Sequence, residues 1–261
     1  MGTADAIPGV SGGTIAFITG IYPRLVHAIN QISTALKLLI ERKFKQAINI
    51  IDWKLFIPLI LGIGIALILF SGIISFLLES FPSTTFAFFF GLIFASGIIM
   101  VKHVKIIRYE HIVFGVFGFI FAWIIAGLSE VSSNHSLIIV FFSAMIAITA
   151  MILPGISGAF ILVLLGQYQY LVSAIHEFNF RVIFTFGVGA FLGLVLFSKI
   201  LDYLLKKWNK IVISFLIGLM LGSLKVPWQK MIILSENILF LIIAGIFGFI
   251  VVLILEHYFN K

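Results

Sequence analysis

The stretch Asp5-Ala6-Ile7-Pro8-Gly9-Val10-Ser11-Gly12-Gly13-Thr14 opens the chain, and its centre returns 146 residues later as Pro154-Gly155-Ile156-Ser157-Gly158. At the same offset Gly20 and Tyr22 match Gly166 and Tyr168, and Leu25, Ala28 and Ile29 match Leu171, Ala174 and Ile175. Downstream, Phe70-Ser71 and Gly91-Leu92 match Phe197-Ser198 and Gly218-Leu219 at an offset of 127. Gly115, Phe117, Gly118 and Phe119 match Gly245, Phe247, Gly248 and Phe249 at an offset of 130. Three ordered blocks at nearly constant spacing mark an internal duplication.

Around the two Pro-Gly motifs the chain is too broken to cross a bilayer in one helix. The apolar segments Thr14–Ile21 and Ala159–Leu165 are bracketed by Pro8-Gly9, Gly20 and Pro23 in one case and by Pro154-Gly155 and Gly166 in the other. Proline removes a backbone donor and glycine frees the backbone, so each stretch predicts a broken or re-entrant helix. Residues 24–37 place Leu25, Ile29, Ile32 and Leu36 on one face, with Arg24, His27, Asn30, Gln31 and Lys37 elsewhere. That pattern predicts an amphipathic helix at the cytoplasmic interface.

The rest of the chain explains the solvent. Of 261 residues 62% are hydrophobic and 10% charged, with 29 phenylalanines and a mean hydropathy of +1.23. Soluble domains carry about 25% charged residues, so so much apolar surface requires lipid. Apolar runs at about 55–78, 84–101, 111–129, 136–153, 182–201, 211–224 and 238–256 predict helical spans, most of the length a bilayer needs. They are continuous rather than alternating, which excludes a barrel. The fold expected is an all-α, polytopic helical bundle forming a single membrane domain over 1–261.

Each half contains a broken hairpin followed by three spans, and an odd number of crossings inverts the second copy. Repeat 1 covers 1–129 and repeat 2 covers 136–258. The segments around 41–54, 102–110 and 202–210 with the C-terminus hold eleven Lys and Arg residues, against Arg181, Lys225 and Lys230 on the other side. The positive-inside rule places the first set in the cytoplasm, so the first hairpin enters from the cytoplasm and the second from outside. Inverted repeats with helix breaks at corresponding positions are the pattern of secondary transporters. The second hairpin is preceded by an arm, 136–153, that the first lacks. The offset of 146 puts its counterpart about ten residues before Met1, so the reading frame is expected to extend upstream.

The +7 net charge is interleaved with the spans, which fits topology signals and contacts with anionic lipid rather than nucleic acid. The absence of cysteine excludes disulfides and thiolate metal sites. No metal or organic cofactor is expected. A Pro-Gly break followed by Ser11, Gly12, Gly13 and Thr14 starts a helix with open N–H groups beside hydroxyls, an arrangement that suits a phosphate or carboxylate. Ser157 and Gly158 offer the same from the other motif. Ser11 and Ser157 are equally read as plain helix N-caps. Arg24, beside Tyr22-Pro23, either pairs a substrate oxyanion or snorkels to a lipid phosphate. Asp5 is a candidate for a coupling proton or sodium ion, or else a cap or a partner of Arg24. His27 is read as an interfacial polar residue before a proton relay. Both motifs also spell G-x-S-G, the form of an intramembrane serine hydrolase, which would need a histidine base within reach.

The paired motifs resemble those of the bacterial undecaprenyl-phosphate (polyprenyl-phosphate) transporter family, and the likeness runs over essentially the whole chain. The family motif falls on Asp5, Pro8, Gly9, Ser11, Gly12, Gly13, Thr14, Gly20 and Tyr22, and on Pro154, Gly155, Ser157, Gly158, Gly166 and Tyr168. It departs at Ala159, where the family pattern carries a second hydroxyl. The resemblance implies a multi-pass protein of the bacterial cytoplasmic membrane that returns undecaprenyl phosphate to the cytoplasmic leaflet for reuse in peptidoglycan and other envelope polymers. The motif's substrate-binding residues would be Ser11, Gly12, Gly13, Thr14, Tyr22, Ser157, Gly158 and Tyr168, to which Arg24 is added as the cation beside the first motif. Pro8, Gly9, Pro154 and Gly155 would form the hairpin breaks. A transporter or channel for a small soluble anion on the same scaffold is the principal alternative, and the serine hydrolase is a second.

Overall fold

The computed structural model describes residues 1–2, 11–104, 108–130, 134–233 and 237–259. Among them every regular element is a helix: α1 (Gly12–Ile18), α2 (Tyr22–Ile40), α3 (Phe44–Ile50), α4 (Trp53–Ser80), α5 (Pro82–Val104), α6 (Tyr109–Ile125), α7 (Leu137–Ile152), α8 (Gly158–Leu164), α9 (Tyr168–His176), α10 (Phe180–Lys207), α11 (Asn209–Gly222), α12 (Lys225–Ile233) and α13 (Ile238–Phe259).

Local chemistry sets the breaks. Ser11 and Ser157 cap α1 and α8, each accepting a backbone N–H of the first turn, from Gly13 at 3.1 Å and from Phe160 at 3.4 Å. Both short helices then end the same way. Gly20 (φ +70°) and Gly166 (φ +63°) occupy the left-handed region that glycine enters at least cost. Around them Ile21 N–H bonds Ala16 C=O at 3.1 Å and Gln167 N–H bonds Leu162 C=O at 2.9 Å, the long-range bond of a Schellman stop. The chain turns by 106° from α8 into α9.

Among the described residues five helical stretches are long and apolar enough to cross a membrane: within α4, within α5, α10, α11 continued into α12, and within α13. α6 and α7, at 17 and 16 residues, are shorter. Lys225–Ile233 is helical, although its lysines read as part of a connection between spans. The α5 span buries 61% of its residues and forms the interior, whereas α13 buries 11% and turns Phe240, Ile243 and Ile254 outward. Side chains of that size left bare around the bundle require lipid as the outer solvent. The protein is a polytopic helical membrane protein.

Matched residues of the two halves make matched contacts. α5 crosses α13 where Gly91 meets the carbonyl of Gly245, and α11 crosses α6 where Gly218 meets the carbonyl of Gly115. A Cβ at Gly91 or Gly218 would collide with that carbonyl, so both crossings depend on close backbone approach. Beside them the Phe88–Phe247 and Phe117–Phe215 ring pairs lie 5.7 and 5.9 Å apart. Gly91→Ala and Gly218→Ala should each destabilise the protein by about 1–3 kcal/mol through overpacking. Thermal unfolding in detergent should show comparable losses; tolerance of one substitution alone would mean that the two crossings are not equivalent.

Candidate functional site

Ser11 and Thr14, which follow the first Pro-Gly break, meet the second motif in the core. The Thr14 hydroxyl accepts the backbone N–H of Gly155 at 3.0 Å, and the Ser11 hydroxyl donates to the carbonyl of Leu153 at 3.3 Å. Both side chains are shut away from solvent, Ser11 at 2% and Thr14 at 0% exposure. Apolar residues near both motifs, among them Phe17, Tyr22 and Val26 with Ala147, Ile156 and Ile161, share one packed cluster around this contact. Residues 142 and 141 apart in sequence are therefore joined by side-chain to backbone bonds that local patterning does not encode.

Other predicted residues fall in distinct places. Gly12 and Gly13 form the first turn of α1, and Gly158 that of α8, both buried. Tyr22 is fully buried, its ring edge-on to Phe17 at 5.3 Å and its hydroxyl without a hydrogen-bond partner among the described residues. Its counterpart Tyr168 is 39% exposed, so the duplicated tyrosines do different things. Ser157 bonds no residue of the first motif among the described residues; it caps α8 beside Gly155 and Ser223. They border a cavity of about 10 Å³, room for one water and not for a phosphate. Asp5, Pro8 and Gly9 lie outside the described residues. Pro154 is buried, and Gly155 takes φ +89°.

Arg24 is engaged away from the motifs. Its Nε and Nη2 donate to Asp52 Oδ2 and Oδ1 at 2.7 and 2.9 Å, a two-pronged ion pair at the corner where α3 leads into α4. Asp52 also caps α4 through Leu55 N–H at 3.1 Å. The Arg24 hydrogen bond holds the Asp52 carboxyl below its usual range, so the pair is intact at neutral pH. Its contribution is present above the ordinary carboxylate pKa and is lost only as pH falls through the lowered one.

A second polar cluster joins the halves. Buried Asp202 on α10 accepts from Asn30 at 2.8 Å and Lys206 at 2.8 Å, and its carboxylate lies 3.2 Å from His27 Nδ1. Lys206 Nζ also approaches His27 Nδ1 at 3.1 Å, so that nitrogen either accepts from lysine or, protonated, donates to Asp202. Motif reading gave no sign that Asp202 joins the halves, because its partners Asn30 and His27 are 172 and 175 residues away. Ser223 was also missed, yet a signal existed: the 127-residue offset maps it onto Ser96. Both are buried, and both donate to a carbonyl of the preceding turn.

Among the described residues no histidine bonds Ser11 or Ser157, the relation a serine nucleophile requires. The clustered groups are instead hydroxyls and backbone N–H groups, donors that suit an anion.

Comparison with known proteins agrees with that chemistry. Residues 1–238 match a family model described as undecaprenyl phosphate translocase-like. A polyprenyl-phosphate transporter of Vibrio cholerae is 40% identical over 233 residues, covering 88% of this chain and 76% of the relative. A polyprenyl-phosphate transporter of Staphylococcus aureus is 32% identical over 245 residues, covering 86% and 81%. No solved structure matches significantly.

Proposed function

The chain belongs to the undecaprenyl phosphate translocase-like family, and from that membership we propose that it moves undecaprenyl phosphate from the outer to the cytoplasmic leaflet of the bacterial inner membrane, returning the carrier for cell-envelope synthesis. Ser11, Gly12, Gly13, Thr14, Tyr22 and Arg24 from one half, with Ser157, Gly158 and Tyr168 from the other, form the headgroup site. The observation that carries this assignment is the direct contact of the motifs, Thr14 to Gly155 and Ser11 to Leu153.

A phosphomonoester bears about −1.5 to −2 charges at neutral pH. Left bare in hydrocarbon, such a charge would cost tens of kcal/mol on an idealised Born estimate. Hydroxyls, backbone N–H groups, a guanidinium and water must therefore replace its hydration while the hydrocarbon tail keeps apolar surroundings. The motif contact is the closed seam of that pathway. Separating the hairpins releases Ser11, Thr14 and the Gly155 N–H toward one face at a time.

The halves 1–129 and 136–258 act as inverted repeats, with α1–α2 and α8–α9 as re-entrant hairpins entering from opposite sides. The exchanged crossings, Gly91 on Gly245 and Gly218 on Gly115, support that arrangement, as does the charge bias. Asp5 is the candidate carboxylate for a coupling proton or sodium ion. Single cysteines at Lys207 and Ser133 test the inversion: Lys207 should label from the cytoplasm and Ser133 from outside. Cytoplasmic labelling of Ser133 would reject it.

Function is tested in vesicles carrying the purified protein and a fluorescent short-chain polyprenyl phosphate. Accelerated exchange between leaflets is expected. Uptake of inorganic phosphate or an organic acid, without exchange of the lipid, would replace the flippase by a soluble-anion transporter.

A further inference from the structure

We propose that the groove between α6, α10 and α11 seats the polyprenyl chain of the substrate, an inference that rests on the function proposed above. The groove encloses about 650 Å³ and is lined by apolar residues of both halves together with Trp208. Its floor is buried Leu201 and Leu216, and its walls include the half-exposed rings of Phe117 and Phe121. It is therefore open on its side toward the surrounding lipid.

What distinguishes this groove is where it ends. Leu153 lines it, and the Leu153 carbonyl is the acceptor of the Ser11 hydroxyl. The next two residues are Pro154 and Gly155, whose N–H is held by Thr14. An amphiphile with a phosphate at the meeting point of the motifs would thus have an unbroken apolar channel for the carbon chain attached to it. A second groove of about 670 Å³, beside Phe90, Trp228 and Phe249, is lined by no described residue of either motif and offers no such continuity.

The lining also favours an isoprenoid over a straight acyl chain. Two of the lining residues, Phe117 and Phe215, form a ring pair with centroids 5.9 Å apart and planes tilted by 30°. Flat aromatic faces pack against the planar, methyl-bearing double bonds that recur along a polyprenyl chain. The acyl chains of bulk phospholipid lack a methyl-bearing double bond repeated every few carbons. Besides Leu153 the lining includes Leu204 and Trp208, which flank Lys206 and Lys207 in the sequence. On the positive-inside assignment this is the cytoplasmic half, where the delivered lipid must leave.

The test uses the full chain in phosphatidylethanolamine–phosphatidylglycerol vesicles with a farnesyl phosphate carrying a diazirine on its last isoprene unit. Crosslinks mapped by mass spectrometry should fall on Phe117, Phe121, Leu204 or Phe215. Excess undecaprenyl phosphate should abolish them, and added phosphatidylglycerol should not. Equal loss with phosphatidylglycerol would mean that the groove holds ordinary lipid and would overturn the inference. Undecaprenyl-phosphate-sensitive crosslinks at Phe90 or Trp228 instead would overturn it while leaving the transport function standing. No competed crosslink anywhere, together with no lipid exchange in the same vesicles, would remove the proposed function and the inference with it.

Discussion

Thr14→Val should cut lipid exchange by about five- to 150-fold, whereas Thr14→Ser should keep most of it. Valine matches threonine in shape but accepts no hydrogen bond, so the Gly155 N–H, paired with Thr14 Oγ1 at 3.0 Å, would be left buried and unsatisfied. An orphaned donor of that kind costs about 1–3 kcal/mol. Expressed in a rate, that is a loss of about five- to 150-fold. The cost falls on the closed seam and on any step in which the hydroxyl contacts the phosphate. Serine restores the acceptor and loses only a methyl group. Exchange should be measured in vesicles at matched protein content, with melting temperature as the check on folding. Near wild-type exchange by Thr14→Val would remove the seam from the mechanism.

Arg24→Ala should be the second severe loss, and Arg24→Lys nearly as severe, because an ammonium cannot reproduce a two-pronged guanidinium pair. That pair is made to Asp52 in this structure, at 2.7 and 2.9 Å. Two roles would give the same Arg24 phenotype, and Asp52→Asn separates them. If Arg24 leaves Asp52 to take the phosphate, weakening the carboxylate's hold should leave transport intact or raise it, which is the outcome we expect. If Arg24 only ties α2 to the corner before α4, Asp52→Asn should fail alongside Arg24→Ala. Between about pH 5 and 8 the pair should not titrate, since Asp52 stays ionised above its lowered pKa. A pH dependence of transport in that window would have to come from another group.

The breaks and the bundle were legible in the sequence because they are local. Pro8-Gly9, Gly20, Pro154-Gly155 and Gly166 announced two short helices at 14–21 and 159–165, and the helices lie at Gly12–Ile18 and Gly158–Leu164. The apolar face of 24–37 became α2, extended to Ile40 by its further apolar residues. Long-range pairing was not legible. Nothing in the neighbourhood of Arg24 names Asp52 as its partner, and nothing near His27 or Asn30 points to Asp202. Periodicity says which face of a helix is apolar, not which polar tips meet after folding. Tyr22 and Tyr168 make the same point in reverse: identical motif positions acquired opposite exposure, because only Tyr22 is enclosed by residues of both hairpins. Ser96 and Ser223 lay within reach of the 127-residue offset once it was carried past Leu92 and Leu219.

The direction of transport is the central claim, and leaflet-resolved measurement of undecaprenyl phosphate in living cells tests it most directly. In a strain without other recyclers of the carrier lipid, depletion of this protein should make undecaprenyl phosphate accumulate in the outer leaflet and fall in the cytoplasmic one. Wild type should reverse that distribution, and Thr14→Val should not. An unchanged distribution on depletion, or accumulation in the cytoplasmic leaflet, would contradict the account.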